Sequence, residues 1–177
     1  MRYLKATAQG KECKGAADTV ILQFYQHHTG CPDEMTYEVI GVDKTVDGKV
    51  DDLRLGPVDP NALDLDKRQL EVFASTFLKL NWVSAGSHLQ RTLTLYVDHF
   101  GKTGRPNAVK LDFHERMGTG GKTSLVYKAA AYDGDSDGVL ESFTNSDVDR
   151  NGVADKADKE VIRSLCKAFL ALAWYEQ

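Results

Sequence analysis

The side chains with the clearest chemical potential in this chain are carboxylates set at alternate positions around glycines. The stretch from Asp147 to Asp158 carries oxygen donors at its first, third, fifth, ninth and twelfth positions, Asp147, Asp149, Asn151, Asp155 and Asp158, with Gly152 sixth. Alternate side chains converge on one hard cation, the glycine permits the sharp turn, and the seventh residue, Val153, offers its carbonyl, so these five residues are candidate calcium ligands. The twelfth is Asp where the usual loop has a bidentate Glu, which lowers the expected ligand number. Asp133, Asp135 and Asp137 begin a second such loop with Gly138 and Glu141, although Thr144 is a poor twelfth ligand. A third stretch, Asp43-x-Thr45-x-Asp47-Gly48, ends in Arg54 and reads as a turn. The competing reading of all three is acidic turn chemistry with no metal.

Other motifs carry less. Gly118-Thr-Gly-Gly-Lys-Thr123 has the composition of a phosphate loop, but Arg116 stands where the first glycine is required and a strand follows, so a hairpin turn is expected. The histidines, His27, His28, His88, His99 and His114, share no metal-ligand spacing. No Ser/His/Asp set, catalytic carboxylate pair or cysteine nucleophile stands out, so the chain is read as a non-enzyme. Of three cysteines, Cys166 falls on an apolar helix stripe, and Cys13 and Cys31 could pair.

These residues need elements to position them. Alternation predicts strands at residues 2–8 (Leu4, Ala6 and Ala8 inward), 19–27 (Val20, Leu22 and Phe24 inward) and 35–42. An acidic connection over 43–60 leads to a helix capped by Asn61 or Asp64, with Leu70, Phe73, Phe77 and Leu80 on one face. Strands follow at 91–100, 107–117 and 123–132, then a helix whose stripe is Val161, Ile162, Leu165, Phe169, Leu172 and Ala173.

The two series correspond. Phe77, Leu78, Leu80 and Trp82 match Phe169, Leu170, Leu172 and Trp174, Asp66-Lys67 matches Asp158-Lys159, and Val20-x-Leu22-x-Phe24 matches Val109-x-Leu111-x-Phe113. The expectation is an α+β fold made of a tandem-duplicated strand-strand-strand-helix unit, residues 1–86 and 87–177, sharing one antiparallel sheet with helices on one face. Outward strand positions then collect Tyr3, Lys5, Thr7, Gln23, Tyr25, Thr94, Tyr96, Lys110 and His114, a mixture able to meet phosphates and stack on bases.

At 177 residues and 42% hydrophobic content the chain can bury one sizeable core or two small ones. Its net charge of −4 excludes a general polycation, so nucleic-acid binding needs a local basic face. The opening MRYLKATAQGKECKG has no apolar core of signal-peptide length and no uncharged run approaches membrane length, so a chain made without a secretory leader is the expectation.

The opening MRYLKATAQGKECKGAADTVILQF resembles the N-terminal hairpin of coat proteins of small single-stranded RNA bacteriophages, a short strand, a Gly/Lys turn and a Thr-led apolar strand. Residues 91–117 and 123–132 with the helix around 158–172 are similar to that family's central strands and first helix. The resemblance implies a self-assembling virion coat protein made in the host cytoplasm, with helices outside and an inner sheet face holding genomic RNA. The nine outward residues would be that RNA face, and duplication would let one chain do what a dimer does. Residues 147–170 separately resemble the dockerin and EF-hand families, which implies a calcium-binding module that grips a protein partner as the alternative.

Overall fold

The computed structural model describes residues 1–10, 17–45, 47–55, 66–82, 89–117 and 122–175. Among these residues, eight strands form one antiparallel sheet and two helices cover one side of it. The order along the chain is β1 (Arg2–Gln9), β2 (Thr19–Gln26), β3 (Glu34–Val42), β4 (Asp52–Leu55), α1 (Lys67–Trp82), β5 (Leu89–Phe100), β6 (Pro106–Met117), β7 (Ser124–Tyr132), β8 (Ser142–Phe143) and α2 (Lys156–Ala171). Across the sheet it is β4-β3-β2-β1-β5-β6-β7-β8, so two four-stranded meanders meet where β1 pairs with β5.

Strand alternation decides the faces. Leu4, Ala6, Val20, Leu22, Phe24, Leu93, Leu95, Val109 and Leu111 point under the helices and are buried. The alternate residues, Tyr3, Lys5, Gln23, Tyr25, Thr94, Tyr96 and Lys110 among them, are only half-buried, because neither described helix covers that side. Each half has one strand more than the sequence reading gives: β4 lies inside the acidic connection, and β8 is two residues long, too short for alternation to register.

The meanders repeat one register. An offset of 89 carries the pair Leu4 and Phe24 of β1 and β2 onto Leu93 and Phe113 of β5 and β6. A bulge follows Phe24 in the β2–β3 ladder, and another follows Phe113 in the β6–β7 ladder. Arg2 Nε donates to Gln26 at 2.9 Å, and Arg91 Nε donates to Glu115 at 3.3 Å at the corresponding cross-strand site.

The helices bury matching positions at an offset of 92: Leu70 and Ile162, Phe73 and Leu165, Ala74 and Cys166, Phe77 and Phe169, Leu80 and Leu172. Val161 is only half-buried and Ala173 is exposed, because the helix has ended and Ala173 takes φ 55°. Asp66 accepts from Arg68 N at 2.9 Å at the start of α1, whereas Asn61 and Asp64 lie outside the described residues.

The C-terminal ends of the helices reach across. Beyond α2, buried Trp174 lies edge-on to Phe24 and Tyr37 of the first half, donates from Nε1 to the carbonyls of Tyr3 and Tyr25, and carries the Arg2 guanidinium over its ring. The end of α1 offers the Leu80 carbonyl to Arg91 Nη1 of the second half at 3.1 Å. One continuous apolar cluster therefore includes residues from both 1–86 and 87–177.

Candidate functional site

All nine outward residues of the sequence reading lie on the uncovered face, and the ladder registers place them in rows across the strands. Tyr3 pairs with Tyr25 on one side and Tyr96 on the other, and Tyr96 pairs with Lys110. One row is therefore Tyr25, Tyr3, Tyr96 and Lys110. Next along the strands come Gln23, Lys5, Thr94 and Asp112, and then Thr7, Thr92 and His114.

The rings of Tyr3 and Tyr25 stack at 5.1 Å and 10°. Tyr3 donates its hydroxyl to Asp33 at 2.5 Å, and Asp33 also contacts His27 Nδ1 at 2.7 Å. Burial, then the Asp33 bond and charge, raise the Tyr3 hydroxyl pKa, while the Tyr3 and His27 bonds lower that of Asp33. Burial likewise raises Tyr25, with Glu38 and Asp33 adding to it, and Tyr96, with Asp112 and Asp98 adding. Lys110 donates to the Tyr132 hydroxyl at 3.1 Å, which favours its charged form.

Beyond Lys5 the face opens into a groove of about 410 Å³. It is lined by Lys5, Thr7, Thr92, His114, Arg116 and Thr123 along with Tyr3 and Thr94, and none of these is a carboxylate. Thr92, Arg116 and Thr123 are missing from the nine. Arg116 continues the outward alternation of Lys110 and His114 within the strand expected at 107–117, so the signal that assigns it to this face is present in the sequence.

The acidic loops form three carboxylate clusters whose oxygens lie within 4.8 Å of one another: Asp147, Asp149 and Asp158; Asp133, Asp135, Asp137 and Glu141; and Asp43, Asp47 and Asp51. Their backbones agree. The first Asp of each accepts from the glycine five residues on, at 2.9 Å from Gly152, 2.8 Å from Gly138 and 2.8 Å from Gly48. Those glycines take φ of 94°, 95° and 85°, a region that excludes most side chains.

A further carboxylate closes two of the loops. Asp158 Oδ1 accepts from Val148 N at 2.9 Å and Asp149 N at 3.1 Å. Asp51 Oδ2 does the same for Lys44 N at 2.9 Å and Thr45 N at 3.1 Å. The stretch read from sequence as a bare turn thus has the carboxylate arrangement of the other two, with Asp51 in a role that a twelfth-position search at Arg54 misses.

Asp155 is placed differently from the other candidate ligands. Its carboxylate accepts from Ala157 N and Asp158 N and caps α2, so it faces its own helix. Asn151 Oδ1 accepts from Val153 N at 2.9 Å. In the second cluster a bond to Asp135, then burial and the neighbouring aspartates, raise Glu141 to about 7, while Asp135 is lowered. Oxygen-only donor sets of this kind suit a hard divalent cation, and the Asp147–Asp158 loop would hold it through Asp147, Asp149 and Asp158.

This loop is also tied to the sheet. Arg150 pairs with Glu115 at 3.1 Å, and the Val148 carbonyl accepts from Tyr127 at 3.1 Å and from buried Arg91 at 3.4 Å. Burial pushes the Tyr127 hydroxyl up to about 12. Residues 118–121 of the glycine-rich turn and Cys13 lie outside the described residues, and Cys31 is exposed. No helix among the described residues is long and apolar enough to cross a membrane. Comparison of the chain with protein-family models, curated proteins and solved structures gives no match.

Proposed function

We propose that this chain is a structural coat protein that self-assembles into a virion shell and holds single-stranded RNA on the open face of its sheet. The observation that carries the reading is the gathering of Tyr3, Lys5, Thr7, Gln23, Tyr25, Thr94, Tyr96, Lys110 and His114 on the sheet face that neither described helix covers. Hydroxyls and amines there can meet phosphates, and rings can stack on bases. The chain is acidic overall, and Asp33, Glu38, Asp98 and Asp112 act on the tyrosines of this face, but Lys5 and Arg116 line a groove with no carboxylate in its lining, which supports a local electrostatic footprint of the kind RNA binding needs. No catalysis is required in this reading.

The tandem duplication is part of the proposal. Matching ladder registers, matching bulges and the matching Arg2 and Arg91 bonds support two copies of one unit, each with four strands and a helix. One chain then supplies the sheet that two subunits of a coat dimer supply together.

Purified protein examined by size-exclusion chromatography with light scattering, with absorbance read at 260 and 280 nm, tests the coat reading. Particles far larger than the 19.6 kDa chain and carrying nucleic acid are expected. A nucleic-acid-free monomer would contradict it.

The three carboxylate clusters favour a second reading, a calcium-binding module resembling dockerins that engages a protein partner. In a shell the same loops would hold calcium near subunit contacts. Loss of particles on chelation supports calcium in the shell, and calcium-dependent folding of a monomer supports the module.

A further inference from the structure

The central ladder has two-fold symmetry in register but not in residue type. Between β1 and β5, Lys5 pairs with Thr94, Tyr3 with Tyr96 and Thr7 with Thr92. The offset of 89 that relates the meanders therefore turns this ladder onto itself about Lys5 and Thr94, exchanging Tyr3 with Thr92, Tyr96 with Thr7 and Tyr25 with His114. Equivalent residues would make the two sides of the axis alike. Instead one row carries Tyr25, Tyr3 and Tyr96, and the other Thr7, Thr92 and His114. The rows lie four residues apart along β1, about 13 Å, with Lys5 between them.

The electrostatics divide the same way. The Thr side is the carboxylate-free groove, where Lys5, His114 and Arg116 stand among threonine hydroxyls. Arg116 Nε is buried there without a hydrogen-bond partner. On the tyrosine side Asp33 holds the Tyr3 hydroxyl, the charges of Glu38 and Asp33 act on Tyr25, and those of Asp112, which pairs with Thr94 on the axis, and Asp98 act on Tyr96, with Lys110 the one cation at the end of the row. With Asp33, Glu38 and Asp98 set against Lys110 alone, the second side disfavours a phosphate relative to the first, whereas an uncharged base loses nothing against tyrosine rings.

We infer that single-stranded nucleic acid crosses this face in one fixed orientation, its phosphodiester backbone in the groove of Lys5, His114 and Arg116 and its bases turned toward Tyr25, Tyr3 and Tyr96. The inference rests on the RNA reading above and adds which side takes the phosphates.

Fluorescence anisotropy of a labelled twelve-nucleotide RNA, titrated at several KCl concentrations with the full chain, tests it. Arg116→Gln and Lys5→Gln should each lower the slope of log affinity against log salt by about 0.7, the value for one lost phosphate contact on a single strand. Tyr25→Leu and Tyr96→Leu should weaken binding about tenfold and leave the slope unchanged. Circular dichroism melts establish that each variant is folded, and inorganic phosphate should compete only weakly if the phosphodiester chain is the ligand. Wild-type slopes in both groove variants, or slope losses confined to the tyrosine variants, would overturn the inference while leaving RNA binding in place. Absence of RNA binding by the unmodified chain would remove the RNA reading and this inference together.

Discussion

Asp158 offers the sharpest test of how the acidic loop from Asp147 to Asp158 is built. Its buried carboxylate accepts three backbone N–H groups, from Val148 at 2.9 Å, Asp149 at 3.1 Å and Asp155 at 2.8 Å. The third bond completes a capping box with Asp155 at the start of α2. Asp158→Ala strands these donors. A hydrogen bond to a charged acceptor contributes about 1.5–3 kcal/mol, but the Asp149 and Asp155 donors are only part-buried and water recovers some of their loss. The net cost is about 3–5 kcal/mol. For a chain of this size that lowers Tm by about 6–20 °C.

Asp158→Asn keeps one acceptor oxygen but turns an amide nitrogen toward a donor, so about half that loss is expected. Urea denaturation followed by circular dichroism, with a chelator present throughout, isolates the protein's own contribution. A loss under about 1 kcal/mol for Asp158→Ala in chelator would refute the reasoning, because the loop would then owe its shape to a bound ion and not to its own N–H groups.

Other perturbations follow from the same contacts. Trp174→Ala should cost about 3–5 kcal/mol by chemical denaturation, since it empties the site against Phe24 and Tyr37 that joins the chain's end to its first half. Trp174→Phe should cost less, losing chiefly the bonds to the Tyr3 and Tyr25 carbonyls. Glu115→Ala leaves Arg91 buried with only carbonyl partners and should cost about 3 kcal/mol, read from the same melts. Asp33 has its pKa lowered in the fold by Tyr3 and His27, so its contribution is present above the ordinary value of 3.8 and is lost as pH falls below it. Stability measured from pH 6 to 2 should therefore lose part of its acid limb in Asp33→Asn. If the clusters hold calcium, adding it should raise Tm in the wild type, and Asp133→Ala with Asp147→Ala should remove most of that rise.

Much of this was legible in the residues, and the failures have physical causes. Strands such as β1 and β2 declare themselves because one face is buried and the other is not, which imposes strict alternation on Leu4, Ala6, Val20, Leu22 and Phe24. That alternation also gave the open face its nine residues. β4 escaped because Asp52-Leu-Arg-Leu55 pairs only at an edge, where no apolar pattern is demanded. β8 pairs through two residues only. Ala173 was misplaced because apolar periodicity continues past the point where Leu172 caps α2. Asp51 was missed because a strand, not a helix, follows its loop, so the closing carboxylate comes at the ninth position and not the twelfth. Asp155 was assigned to the loop by spacing alone, which cannot tell a ligand from a helix cap.

The central claim is that RNA lies on the uncovered sheet face. Ultraviolet crosslinking of the protein to bound single-stranded RNA, followed by mass spectrometric mapping of the adducts, tests it most directly. Adducts on Tyr3, Tyr25, Tyr96, Lys5, Lys110 or His114, with α1 and α2 unmodified, are the predicted result. Adducts concentrated on the outer surface of the helices, at Lys79, Arg163 or Lys167, would contradict it.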